Sequence, residues 1–365
     1  MVFSSSRIAI ARKRRGLTLA DLSERVGVSL QSLSNYETGR TDPTRETLAK
    51  MSAALDFPES FFRKPDVEIL PPDAVSFRAR SKLAAAPRDA ALAASTLALE
   101  LNEWIEVRYK LPAAQLPTLG RLDPEGAANV LRTRWGLDDT PISNMVHLVE
   151  SRGVRVFSLP PEFAEVDAFS FWRNGTPFIF LSTLKSPERG RFDVAHELGH
   201  LVLHGEERGL QGPPAEKEAN AFASAFLMPE ASVRSYIPKS PLPSQIISAK
   251  KIWKVAAMAL TYRLHDLEML SDWHYRKACI ELSKQGYRSS EPRGIPTREK
   301  SQLLEKVFNL AQVKGISTRQ VADELNVSTQ ELSSWIFGLV VTIRAGSGRP
   351  VPPTSAARPR LSVVR

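Results

Sequence analysis

The run His196-Glu197-Leu198-Gly199-His200 constrains this chain most, because two imidazoles four residues apart share a face only if the segment is an α-helix. From that face they can grip one metal ion. Glu197 then borders the ion, where it can take a proton from a water that zinc polarises. Three of the six histidines fall within these nine residues, His196 to His204. Flanking residues predict the same helix. Ser186 is placed to cap it, Pro187 suits its first position, Glu188 its first turn, and Gly205 its end. Phe192, Ala195, Leu198, Gly199, Val202 and Leu203 recur at helical spacing and form a buried stripe with the histidines at its edge. Gly199 costs about 1 kcal/mol of helix propensity relative to alanine, so it is expected where another backbone comes close.

A catalytic zinc of this kind needs a third protein ligand and an open position for water. Pro213-Pro214 opens a second helical run, and Pro229 stops it after Leu227-Met228. Two glutamates compete within it. At about 100° per residue, Glu216 aligns with Ala219, Asn220, Ala223 and Leu227 on the buried stripe, whereas Glu218 points to the other side, towards solvent. Glu216 is therefore the candidate ligand. Asn220, one turn on, is placed to hydrogen-bond the outer nitrogen of a ligand histidine and fix its tautomer. His204 continues the spacing by one more turn, which suits a capping or supporting role better than ligation.

The string from Arg191 to His200, followed by Glu216-x-x-Ala219-Asn220-x-Phe222-Ala223 and Leu227-Met228-Pro229, resembles the ImmA/IrrE family of zinc metallo-endopeptidases. The resemblance implies zinc on His196, His200 and Glu216, with Glu197 as the base. It also implies a helix-turn-helix repressor as substrate, whose cleavage relieves repression of stress or mobile-element genes. No residue announces itself as the stabiliser of an oxyanion.

Upstream, Gly153 to Leu159, Ala168 to Trp172 and Pro177 to Leu181 read as short strands rich in β-branched and aromatic residues, with Asn174-Gly175 turning the last two into a hairpin. Such a sheet either binds an extended peptide as an added strand or simply backs the metal helix.

Residues Ile8 to Leu55 form a second module. Leu19 to Val26, a Gly27-Val28-Ser29 turn and Leu30 to Tyr36 carry helix-turn-helix spacing, with Leu22, Val26, Val28, Leu33 and Tyr36 as core. Gln31 and Asn35 are placed to read adenine edges, while Ser32, Ser34 and Arg40 suit phosphate. The segment resembles the Xre family of phage-repressor-like regulators, including Asn35-Tyr36-Glu37-Thr38-Gly39. Eleven Lys/Arg against seven Asp/Glu give residues 1–65 a charge of plus four, which suits DNA without proving it. A bundle used for protein contact is the competing reading.

At 365 residues and 42% hydrophobic content the chain can hold two or three domains with their own cores. A net charge of +9 favours a polyanionic partner such as nucleic acid. Cys279 stands alone, so no intrachain disulfide forms and a reducing cytoplasm is expected. Neither a signal-peptide run nor eighteen consecutive apolar residues is present, which argues against secretion and against a membrane span.

Leu70-Pro71-Pro72-Asp73 reads as a linker. Alanine-rich Asp89 to Leu111 is predicted to be a long amphipathic helix that sets the distance from DNA reader to peptidase, with Trp104 in the core. Ser248 to Leu270 is predicted helical, burying Ile252, Val255, Ala256, Ala259 and Leu260. Residues Ile316 to Gly338 align with Leu17 to Gly39 at a constant offset of 299, so a second helix-turn-helix-like unit is expected. Its acidic Asp323, Glu324 and Glu331 repel phosphate, which favours packing or dimerisation over a second reader. The basic, proline-rich tail is expected to be disordered, with a weak DNA-contacting arm as one use.

These readings predict a mainly α fold with a small β-sheet (α+β). Its parts are a helix-turn-helix domain at 1–68, linker and long helix at 69–125, a zincin-like peptidase domain at 126–290, a helix-turn-helix-like unit at 291–343 and a tail at 344–365. The expected protein is a cytoplasmic, homodimeric DNA-binding regulator with a zinc endopeptidase that cuts a partner repressor or itself. The alternative is a transcription factor or antitoxin-type regulator whose peptidase domain only senses or binds.

Overall fold

A computed structural model describes residues 3–71, 76–77, 85–163, 165–205, 212–340 and 362–363. Most of the expected tail, 344–365, lies outside the described residues. Four helices open the chain: α1 (Ser5–Arg14), α2 (Leu19–Val26), α3 (Leu30–Glu37) and α4 (Arg45–Leu55). Each is set by a hydroxyl cap. Ser4, Thr18, Ser29 and Thr44 accept from the backbone N–H three residues on, satisfying donors that a helix start leaves unpaired. Leu22, Val26 and Leu33 are buried as expected, whereas Val28 and Tyr36 are half-buried against the same core.

Strand β1 (Ser76–Phe77) precedes α5 (Ala85–Arg108). That helix is not an amphipathic spacer. Every residue from Ala90 to Leu99 is buried, because its many alanines let neighbours approach on all faces, and α1 and the late helices at Thr318–Leu325 and Thr329–Ile336 pack against it. Trp104 is in the core, and its indole N–H donates to Glu324 at 2.7 Å. Short β2 (Tyr109–Lys110) pairs antiparallel with β6 (Ser362–Val363).

Helices α6 (Pro124–Arg134) and α7 (Met145–Ser151) lead into β3 (Arg155–Ser158), β4 (Ala168–Arg173) and β5 (Thr176–Leu181). Among the described residues the sheet order is β1-β4-β5-β3, with β3 and β5 parallel and the other pairs antiparallel. The hairpin turns at Asn174 and Gly175, with φ of 51° and 71°, the signs that a tight two-residue turn requires. Strand alternation sorts the faces. Phe157, Phe169, Phe171, Phe178 and Phe180 stack on one side, with neighbouring ring centroids 5.2–6.3 Å apart. Ser170 and Trp172 therefore face the other side, where α8 (Pro187–Leu203) lies.

After α9 (Pro213–Leu227) and α10 (Glu230–Tyr236), the run predicted as one helix from Ser248 to Leu270 divides. It forms α11 (Pro243–Trp253) and α12 (Ala257–Asp266), separated where Lys254 turns left-handed at φ 55°. Val255 and Leu260 are buried, but Ile252, Ala256 and Ala259 are only half so, since the break rotates one half against the other. Helix α13 (Asp272–Lys284) follows.

The final helices, α14 (Gln302–Val313), α15 (Thr318–Leu325) and α16 (Thr329–Ile336), repeat the opening ones. The bounds of α15 and α16 reproduce those of α2 and α3 at the offset of 299, and left-handed Asn326 stands where Gly27 does. Their capping boxes also correspond, Thr18 with Asp21 and Ser317 with Gln320. What differs is the direction the unit faces. Glu331, 2% exposed, accepts from Arg14 at 2.5 Å and Arg15 at 3.0 Å, and Leu332, Trp335 and Ile336 are buried with it. The second helix of this copy is thus used for packing on the first module.

Glu150 of α7 is buried at the start of α14, where it accepts from the Ser301 hydroxyl and from the Leu303 amide at 3.1 Å. Burial pushes its pKa up to about 7 from an ordinary 4.5, although Ser301 and the Leu303 and Gln302 amides act the other way. Between those pH values the folded state keeps a proton that the unfolded chain has released, so stability falls as pH rises through the window. Glu150→Gln should remove this dependence. Urea midpoints should show the variant gaining on wild type by up to about 3 kcal/mol between pH 4.5 and pH 8, and a constant difference would refute the assignment.

Candidate metal centre

Helix α8 begins as its sequence predicts. The Ser186 hydroxyl accepts from the Arg189 amide, Pro187 occupies the first position, and Gly205 turns left-handed at φ 64° just past the capping His204. Four-residue spacing sets His196 and His200 on one face, their Nε2 atoms 3.1 Å apart. Helix α9 crosses α8 closely at Gly199, where an added Cβ would lie 3.0 Å from Phe222 and 3.3 Å from the Ala219 backbone. This approach delivers Glu216. Its carboxylate oxygens lie 3.3 Å from His196 Nε2 and 3.4 Å from His200 Nε2.

These three residues each offer one ligand atom to a common point, all within 4.8 Å of one another. Bonds of about 2.0–2.1 Å to a tetrahedral zinc place neighbouring ligand atoms about 3.3–3.4 Å apart, so the spacing fits the ion. Hydrogen bonding points the same way. His196 Nδ1 lies 3.2 Å from the Asn220 amide oxygen, an acceptor, so the proton belongs on Nδ1 and the Nε2 lone pair faces the triad. His200 Nδ1 lies 3.0 Å from His204 Nδ1, and His204 Nε2 lies 3.2 Å from Glu218 Oε2. A chain of donation towards Glu218 leaves the His200 Nε2 lone pair facing the triad as well. Two lone pairs and a carboxylate aimed at one point repel unless a cation lies between them.

Burial works to raise the Glu216 pKa, but hydrogen bonds and positive charge from protonated His196 and His200 outweigh it and hold the carboxyl well below the usual range, so Glu216 is ionised. A cation at the triad would take the place of those protons. Burial lowers the His204 pKa, with the Glu218 hydrogen bond opposing, which keeps its ring suited to relaying a proton position. Glu218 is not the free surface group its helix position predicts. His204, from one turn further along α8, reaches it.

Glu197 is fully buried, and the Ser170 hydroxyl donates to its Oε2 at 2.7 Å. Sequence reasoning gave Ser170 no role. Its only signal there is parity, which puts it on the sheet face opposite the phenylalanines; that this face meets Glu197 depends on how α8 packs.

The residues picked for DNA contact cluster on and just after α3. Gln31 and Arg40 are exposed, while Ser32, Ser34 and Asn35 are partly so, and Gln31 Nε2 donates to Asn35 Oδ1 at 3.0 Å. Ser32 and Ser29 hydroxyls lie 2.8 Å apart at the helix start. Arg12, in α1, donates to Glu37 at 2.6 Å, which ties the end of α3 to the bundle.

Comparison with known families gives two matches. Residues 149–265 match a peptidase-family model described as the IrrE N-terminal-like domain, and residues 8–62 match a helix-turn-helix model. The first span contains the histidine pair, Glu197, Glu216 and Ser170; the second contains α1 from Ile8 onward and α2 to α4. Comparison with curated proteins found no match.

Proposed function

We propose that this chain, with an IrrE N-terminal-like peptidase domain behind a helix-turn-helix, is a DNA-binding regulator that hydrolyses a peptide bond in a regulatory protein. The observation that carries the reading is the convergence of His196, His200 and Glu216 at zinc-ligand spacing, with Glu197 next to His196 in the chain and its carboxylate held by Ser170. In this assignment 1–68 reads DNA, 126–290 hydrolyses and 291–343 packs, with 69–125 joining them and 344–365 as the tail.

Zinc, when bound, supplies the Lewis acidity that polarises a peptide carbonyl and eases deprotonation of water. His196, His200 and Glu216 hold it, and Asn220 and His204 keep both imidazoles in the ligating tautomer. Glu197 receives the proton of the attacking water on its carboxylate and returns it to the departing amine. Ser170 keeps that carboxylate aimed. Ser170→Ala is accordingly expected to lower kcat on the order of ten- to a hundredfold with zinc content unchanged, since small misplacements of a reacting group cost rates of that order. An unaltered kcat would remove Ser170 from the machinery.

DNA binding is assigned to α3, with Gln31 and Asn35 on base edges and Ser32, Ser34 and Arg40 on phosphate. A homodimer fits paired operator half-sites, because each chain offers one outward reading helix. A cytoplasmic site is part of the same reading. Among the described residues no helix is long and apolar enough to cross a membrane. The preferred substrate is a repressor bound at or near the same operator, since tethering raises its effective concentration.

The test compares new protein termini, by mass spectrometry, in cells carrying wild-type or Glu216→Ala protein. Fragments found only with wild type support the reading. Identical termini with intact gene control would instead favour a peptidase-like domain that senses or binds without cutting.

A further inference from the structure

Strand β4 has one side bonded to β5, and among the described residues its other side meets only β1. The pairing is short and antiparallel: Ser76 opposite Ser170, and Phe77 opposite Phe169. Ser170 is also the residue whose hydroxyl holds Glu197. Opposed residues in an antiparallel pair sit about 4.5–5.5 Å apart between Cα atoms, so a stretch of this chain's own backbone runs one strand away from the residue that aims the base.

A sheet edge is a template for another strand, and extended peptides bind to such edges by completing the ladder. We infer that the outer edge of β4 is the binding edge for an extended peptide substrate, and that Ser76–Phe77 occupies it in cis as a competitor. The inference rests on the proposed peptidase reading, whose substrate class and restraint it supplies. Position in the chain supports it. The strand lies between Leu70, whose amide donates to Thr96 of α5 at 3.2 Å, and Ala85, where α5 begins, so the segment that carries it starts and ends on one helix. A tethered segment of this kind competes at an effective concentration on the order of millimolar, whereas a two-residue ladder contributes little, about 0.2–1 kcal/mol per opposed pair. The strand therefore outcompetes dilute peptides yet yields to a substrate delivered at high local concentration.

The experiment uses full-length protein carrying Glu197→Gln, so that no peptide is consumed. A fluorescent synthetic peptide of residues 72–82 serves as the probe. Adding Ser76→Pro and Phe77→Pro removes both backbone N–H donors of β1, and the affinity for the probe should rise at least tenfold. Hydrogen exchange at whichever of the Phe169 and Ser170 amides faces β1, rather than β5, should quicken with the prolines and slow again once the probe binds. Ser76→Gly with Phe77→Gly, which weakens the strand without proline, should shift both readouts the same way by less. Equal probe affinity in all three proteins, or β4 exchange indifferent to both the substitutions and the probe, overturns the inference. Hydrolysis by the zinc-loaded protein with native Glu197 is read separately. Tight probe binding by the proline variant without any turnover would sink the catalytic reading and leave the edge assignment standing; turnover with unchanged affinity would do the reverse.

Discussion

Glu197→Gln protein is expected to keep its fold and bind one zinc while losing peptide hydrolysis by about 100- to 10,000-fold, the range that general-base catalysis contributes. The substitution preserves size, and the Ser170 hydroxyl can still donate to the amide oxygen that replaces Oε2. What disappears is the capacity to receive a proton. Zinc content by elemental analysis and turnover of the proposed repressor substrate, or of an extended peptide, form the measurement. Retained zinc with lost turnover assigns the proton transfer to Glu197. Turnover equal to wild type would remove Glu197 from the chemistry, whatever its place beside the ligands.

The second large effect concerns stability. Arg14 and Glu331 are 3% and 2% exposed, so Glu331→Ala leaves a buried guanidinium whose one remaining ionic partner among the described residues is the half-exposed Glu162 carboxylate. Breaking one side of a buried pair costs about 3–5 kcal/mol. The double variant Arg14→Met with Glu331→Met should regain most of that, since matched apolar replacements of buried pairs are often neutral or stabilising. Urea unfolding of the three proteins decides it. A loss below about 1 kcal/mol in Glu331→Ala would show that the contact between the two helix-turn-helix units is not held there.

Features written in short stretches of sequence were legible before any coordinates. The α8 caps, the four-residue histidine spacing and the side of α9 that carries Glu216 all follow from one helix at a time. The constant offset of 299 was legible too, since a duplicated unit repeats its caps and turns. Residues whose role depends on a distant partner were not. Ser170 touches Glu197 across 27 positions, and Glu218 meets His204 only because α8 and α9 pack side by side. The long alanine-rich helix misled for a related reason: alanine is compatible with an exposed spacer and with a crowded interior, and only tertiary neighbours choose between them. Lys254 broke a predicted helix because lysine carries no turn signal, although its amide and that of Val255 both return to Lys250.

Tight crossing at Gly199 has a consequence for ion choice. Calcium takes oxygen ligands at about 2.3–2.6 Å, longer than the bonds zinc makes to nitrogen, and so requires a wider bite. With Phe222 and Ala219 already against residue 199, the two helices would hold the proposed centre like a calliper set for a small ion. In the proposed centre, selectivity by radius would thereby be set by a residue outside the ligand set, and even one methyl there would loosen the gauge.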